Sequence, residues 1–451
     1  MDGKRKNYGL FTTVAMIVGI CIGSGIFFKS DNILAATGGS VALGVLVFVL
    51  GAMGIIFGGL SISELAARTD RPGGIVTYYE EFAGEKLACG MGWFEVFVYF
   101  PTITVIVSWA VGIYVCLLFG WPGTFFNQML VGFLFYTACI IANTLSAKLG
   151  GAFQNFATVS KMIPLLIIAV CGLLFGNPAK GFQATATSHS AAGGFAWLAA
   201  IGPVAYSYDG WIVSTTIAPE IRDAKKNLPR ALVIAPIIIL VTYVAYFVGV
   251  TSLLNPAQIV SLQDAHVYTV ANRLFGDLGA KLILIAVILA VMGTDNGLLL
   301  GYIRLPYAMA LRGKRFFPFA EKLSKPGSRA GAPVLSAVFC YGIILFWTAV
   351  HAVTVRFNLL PNSDISEISI AVSYLLYLVL YWKVFRLYRK GEIRSVFRGA
   401  VAPAIATLGS LFILSGGLQN RLFVFYAAFC LLVVLLSFVF YRRRSAAEAE
   451  S

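Results

Sequence analysis

The chain has 451 residues, of which 59% are hydrophobic and only 12% charged. A soluble domain carries about 25% charged residues, so this composition excludes a soluble enzyme with a polar coat. It excludes disorder as well, which needs low hydrophobicity and high charge. The net charge of +14 could suit nucleic acid. In so apolar a chain it fits the Lys/Arg-rich inner loops of a membrane protein better, and no nucleic-acid partner is expected.

A membrane-spanning helix needs about 20 mostly apolar residues. In chain order the candidates are 9–35, 39–66, 87–119, 125–144, 152–176, 193–219, 231–253, 277–310, 331–352, 364–388, 398–416 and 420–441. Lys4-Arg5-Lys6 precedes the first run without a small-residue cleavage site, so that run is expected to stay as a span. With residues 1–8 and the tail 442–451 placed inside, 27 basic residues fall on the cytoplasmic side and 6, Lys29 among them, on the outer side. The bias predicts a multi-pass protein of the inner (plasma) membrane with both termini cytoplasmic.

Seven cysteines lie mostly in apolar stretches without a C-x-x-C pair, which suits neither a disulfide frame nor a zinc site. His189, His266 and His351 have no Cys or carboxylate at ligand spacing, so neither a metal nor a cofactor is expected.

Two candidate spans are interrupted by small residues. The first contains Gly19-Ile20-Cys21-Ile22-Gly23-Ser24-Gly25-Ile26-Phe27, the sixth Gly202-Pro203-Val204-Ala205-Tyr206-Ser207-Tyr208-Asp209-Gly210-Trp211. Alone, Gly19-x-x-x-Gly23 would read equally as a helix-packing motif. The matching interruption five spans later points instead to the binding site of an inverted-repeat transporter. An unwound segment frees N–H and C=O groups that lipid cannot satisfy. The half-helix after the break offers N–H donors and positive dipole to a carboxylate, and the carbonyls before it suit an ammonium. A zwitterionic amino acid carries both groups.

At these residues the chain resembles the amino acid–polyamine–organocation (APC) superfamily, closest to the L-type amino acid transporter (LAT) branch and bacterial serine/threonine exchanger-like relatives. Ile22-Gly23-Ser24-Gly25-Ile26-Phe27 matches that family's I-G-S-G-I-F. Ser63-Glu64-Leu65-Ala66-Ala67-Arg68 with Pro72-Gly73-Gly74, Gly92-Trp93, Tyr206 to Trp211, and Pro219-Glu220-Ile221 with Asn227-Leu228-Pro229-Arg230-Ala231 resemble its other motifs. The resemblance implies an all-α membrane protein with 12 transmembrane helices. They would form a LeuT-like 5+5 inverted repeat, 9–176 and 193–388, plus two C-terminal helices in 398–441, with spans 1 and 6 unwound, working by alternating access. It also implies a substrate carboxylate at Ser24, Gly25 and Ile26, an ammonium at carbonyls near Cys21, Tyr206 and Asp209, and Gly23 and Ser207 within the same substrate site. Tyr206 stands where the family has a substrate-capping Phe, and Ile212 where its human neutral amino acid members have Asn, which makes that wall more apolar. The loop Gly120-Trp121-Pro122-Gly123 lacks the cysteine that links a heavy subunit in the mammalian branch, so no disulfide-linked partner is expected.

Charges inside spans are costly and demand partners. The resemblance implies that Lys161 holds the place of a sodium ion, bridging span five to the break in span one; snorkelling to the cytoplasmic face is the alternative. Asp295 in span eight could pair with Lys161, meet a polar substrate, carry a proton or make a structural hydrogen bond. Asp209 could recognise a cationic substrate, although D-G-W also occurs in neutral-specific relatives. Glu95 receives no role. No selectivity-filter repeat or catalytic cluster supports a channel or an enzyme. The expected function is sodium-independent exchange of small or medium neutral L-amino acids. A proton-coupled amino acid or polyamine symporter is the alternative.

Overall fold

A computed structural model describes residues 8–69, 71, 73–146, 153, 156, 157, 160–186, 194–212, 221–325 and 333–450. The described chain is helical. Its only β contact is an isolated parallel bridge between Tyr8 and Ile221, which ties the chain start to the loop before span seven.

The predicted first span is two helices, α1 (Leu10–Cys21) and α2 (Ser24–Ala36), which meet at 50°. Then follow α3 (Val41–Ala66), α4 (Glu85–Phe119), α5 (Phe125–Leu145) and the shorter α6 (Met162–Phe175). After α7 (Ile201–Tyr208) come α8 (Ala224–Leu253), α9 (His266–Tyr302), α10 (Val334–Arg356), α11 (Ile365–Arg389), α12 (Ala402–Gly417) and α13 (Phe423–Glu450). Among the described residues, nine helices are long and apolar enough to cross a membrane, ten with the bent pair α1–α2. The chain is therefore a multi-pass membrane protein. The exposed side chains of its outer helices are apolar, among them Leu134 and Ile141 on α5, Val338 and Phe346 on α10, and Leu432 and Leu435 on α13. That is the surface hydrocarbon requires and water would not tolerate.

Two features of the predicted spans have local causes. The span expected from 277 begins there, because Gly276, at φ 69° and ψ −177°, breaks the stretch His266–Tyr302 into two helices just before Asp277. The third span contains a π-turn at Glu95–Tyr99, a bulge of the kind that often marks functional sites. The second half of span six, from 213, lies outside the described residues, as do Pro72, Lys148, His189, Pro219 and Glu220.

The interior holds the interrupted helices. α1 packs on α8, α2 on α7, and α3 and α6 both on α8. The break between α1 and α2 thus lies beside the end of α7.

Candidate functional site

The site starts from two helix ends. α1 stops at Cys21, Ile22 turns extended, and α2 restarts at Ser24. The first N–H groups of α2 have no partner within their helix. α7 ends at Asp209 in extended conformation (φ −63°, ψ 159°), followed by Gly210 at φ 95°, a left-handed turn that glycine adopts without cost. Gly25 has a different reason to be glycine. A Cβ there would lie 2.4 Å from the Ser207 Cα, so α2 and α7 touch backbone to backbone.

Around these ends lies a cavity of about 490 Å³, lined by Cys21, Gly23, Ser24, Gly25, Lys161, Tyr206, Asp209 and Gly210. Its remaining wall is largely apolar, with Ile103 and Val107 from α4 and Leu298 from α9, and it extends towards Met16 on α1 and Leu300 and Gly301 on α9. Four contacts hold its polar frame. The Lys161 ammonium, fully buried, donates to the Gly19 carbonyl in the last turn of α1. The Tyr243 hydroxyl of α8 donates to the Ser207 carbonyl at 2.8 Å, with the Cys21 carbonyl at 3.1 Å sharing the proton. One side chain thus ties both breaks. The Tyr206 and Ser24 hydroxyls share a hydrogen bond of 3.0 Å, which supplies the partner that a buried tyrosine needs. The Tyr99 hydroxyl donates to Asp209 Oδ2 at 2.7 Å, so the π-turn of α4 ends on the residue that braces the second break.

Of the residues expected at the site, Cys21, Gly23, Ser24, Gly25, Tyr206, Asp209 and Lys161 line this cavity. Ile26, Ser207 and Ile212 are buried but do not line it. Asp295 does not line it either, although its neighbours Thr294 and Gly297 do. Its carboxylate accepts from the Ser108 hydroxyl and makes no ion pair with Lys161. Among the described residues no group of three His, Cys, Asp or Glu side chains could hold a metal.

The sequence reading overlooked a charged cluster on the other side of the Tyr206 ring. Lys29, counted there as an outer surface charge, is 2% exposed. Its ammonium bonds Asp364 Oδ2 and Glu367 Oε1, both at 2.6 Å, and lies 5.0 Å from the Tyr206 ring centre. Breaking such a buried pair costs about 3–5 kcal/mol, so α2 is locked to the start of α11. The one available signal was a lysine on a half-helix with two acids three residues apart at a distant helix start. Tyr243 and Tyr99 had no signal beyond being tyrosines.

A profile of the amino acid permease family matches residues 8–448. The serine/threonine exchanger SteT of Bacillus subtilis (strain 168) is 32% identical over 422 residues, covering 92% of each chain. The b(0,+)-type amino acid transporter 1 of Mus musculus is 28% identical over 97% of this chain and 87% of its own. The human cystine/glutamate transporter is 26% identical over 83% and 74% respectively. The chain belongs to the amino acid permease family.

Proposed function

We propose that this amino acid permease exchanges small or medium neutral L-amino acids across the plasma membrane, without sodium, by alternating access. The observation that carries the proposal is the pairing of the two helix breaks around one cavity, with the Lys161 ammonium on the carbonyl end of α1. The free N–H groups of α2 take the substrate carboxylate, and carbonyls of the breaks take its ammonium. Lys161 supplies the positive charge that a bound cation would otherwise bring to the end of α1. The apolar wall of Ile103, Val107 and Leu298 receives an uncharged side chain. The exchanger activity named for the bacterial relative supports exchange over uniport.

With both termini in the cytoplasm, the cavity's extension to Met16 and Gly301 leads inwards, and the Tyr206 ring with the Lys29 cluster closes the outer side. The arrangement is an inward-facing state. The loop Gly120 to Gly123 offers no cysteine to a second subunit, and the protein works without a disulfide-linked partner. Proton symport is favoured by a single observation. The Asp295 carboxylate is buried with Ser108 as its partner and makes no ion pair among the described residues, and such a group in a membrane is a candidate proton carrier.

Uptake of labelled amino acid into proteoliposomes separates the two. Exchange requires unlabelled amino acid inside. Symport would fill empty vesicles under an imposed pH gradient.

A further inference from the structure

We infer that the cavity on the outer side of the Lys29 cluster is a second binding site, one for an alkylammonium group. This cavity, about 410 Å³, shares Lys29 and Asp364 with the lock but is separate from the central one. Its rim, at Gly123, Gln263, Asn358 and Asn362, is exposed, and its floor is buried at Lys29, Asp31, His351 and Asp364.

The floor has more acceptors than donors. Asp31 and Asp264 each keep one buried carboxylate oxygen without a hydrogen-bond partner among the described residues. His351 is 1% exposed and both its ring nitrogens are unpartnered too. The Lys29 ammonium, the one cation on the wall, is committed to Asp364 and Glu367. Asp364 is satisfied in turn, since its second oxygen accepts from the Ser366 amide at 2.8 Å and hydroxyl at 2.5 Å. Buried Asp31 and half-buried Asp264 thus line the cavity with no ion-pair partner of their own among the described residues, a cost that an arriving ammonium relieves.

The remaining wall is aromatic. The Trp109 and Phe125 rings flank His351, with ring centres 4.7 and 5.5 Å away, and Phe28 completes it. Carboxylates beside aromatic rings recognise an ammonium through charge-assisted hydrogen bonds and cation–π attraction. An anion would meet the same unpaired oxygens and be repelled.

The group has two sources, the α-ammonium of an amino acid waiting to enter, or an amine that is not transported. Binding to purified protein in detergent distinguishes them without any transport reading. The probes are 1,4-diaminobutane, which lacks the carboxylate the α2 N-terminus requires, and L-serine. We expect diaminobutane to bind, with affinity at least tenfold weaker in Asp31→Asn and in Asp264→Asn and unchanged in Asp209→Asn, which alters the central cavity instead. Asp264 lies on a separate turn, so its variant decides the matter if Asp31→Asn does not fold. Two serine sites per chain, one lost in Asp264→Asn, identify the substrate's own ammonium. A single serine site beside diaminobutane binding identifies a separate amine. Absence of diaminobutane binding to wild type, or binding that Asp264→Asn leaves intact, overturns the inference.

Discussion

Replacing Lys161 by methionine keeps most of the apolar stem and removes the donor that reaches the Gly19 carbonyl. The carbonyl is then left in a buried, low-dielectric setting. A hydrogen bond from a charged donor contributes about 1.5–3 kcal/mol, which corresponds to roughly 10- to 150-fold in an equilibrium constant. Because that carbonyl lies in the last turn of α1 beside the central cavity, the proposed function places the loss in substrate affinity or in the closing step. The assay is exchange of labelled amino acid in proteoliposomes, in choline and in sodium, with insertion checked by detergent-extracted size-exclusion profiles. The expected result is a tenfold or greater fall for Lys161→Met and for Lys161→Ala, with wild-type activity equal in the two salts. Full activity of well-folded Lys161→Met, or wild-type activity seen only in sodium, would refute the assignment of this ammonium as a built-in cation.

Four further outcomes follow from the same geometry. Tyr206→Phe loses the bond to Ser24, about 1 kcal/mol, and should slow exchange roughly fivefold. Tyr206→Ala, which also removes the ring from the outer closure, should slow it much more, and equal rates in the two variants would contradict a closing ring. Tyr243→Phe frees the carbonyls of Cys21 and Ser207 together; a cost of about 1–3 kcal/mol should show as weaker substrate binding in a protein that still folds. Gly25→Ala puts a methyl 2.4 Å from the Ser207 backbone, so it should lower the melting temperature and the yield of folded protein, and a wild-type melting curve would exclude the backbone contact. Glu80, between Arg71 and Arg312 at 2.9 Å each, has its carboxyl below the usual range; partial burial raises it, and the two guanidinium hydrogen bonds outweigh that. A depressed carboxyl contributes stability above its unfolded value near 4.5 and loses it as pH falls through the folded value. Glu80→Gln should therefore melt lower than wild type at pH 7, with the gap narrowing as pH falls below 4.5 and through the folded value.

Much of the frame was legible because it depends on local composition. Apolar length marks a span wherever it occurs, and Gly23-Ser24-Gly25 or Asp209-Gly210 inside such a run marks a break whatever surrounds it. Lys161 stood out because a lysine nine residues into a predicted span has few explanations, and it does reach the Gly19 carbonyl. What escaped the sequence depends on pairing across the chain. Lys29 sits at a span end and counts as an outer charge by position alone, yet its partners are 335 and 338 residues away. Tyr243 and Tyr99 act through single hydroxyls on distant carbonyl and carboxylate oxygens. Gly25 was legible as glycine, but the reason was not: its hydrogen atom faces the Ser207 backbone, a contact made only when both breaks are assembled. Ile212, a wall residue by resemblance, is buried two residues past the turn at Gly210 and does not line the cavity.

The most direct measurement is counterflow in sodium-free choline buffer at equal pH on both sides. Proteoliposomes loaded with unlabelled L-serine are compared with empty ones for uptake of external labelled L-serine. Sodium-independent exchange gives rapid accumulation in loaded vesicles and little in empty ones, unchanged when sodium replaces choline. Equal uptake in loaded and empty vesicles, or accumulation that appears only with sodium or an inward proton gradient, would contradict it.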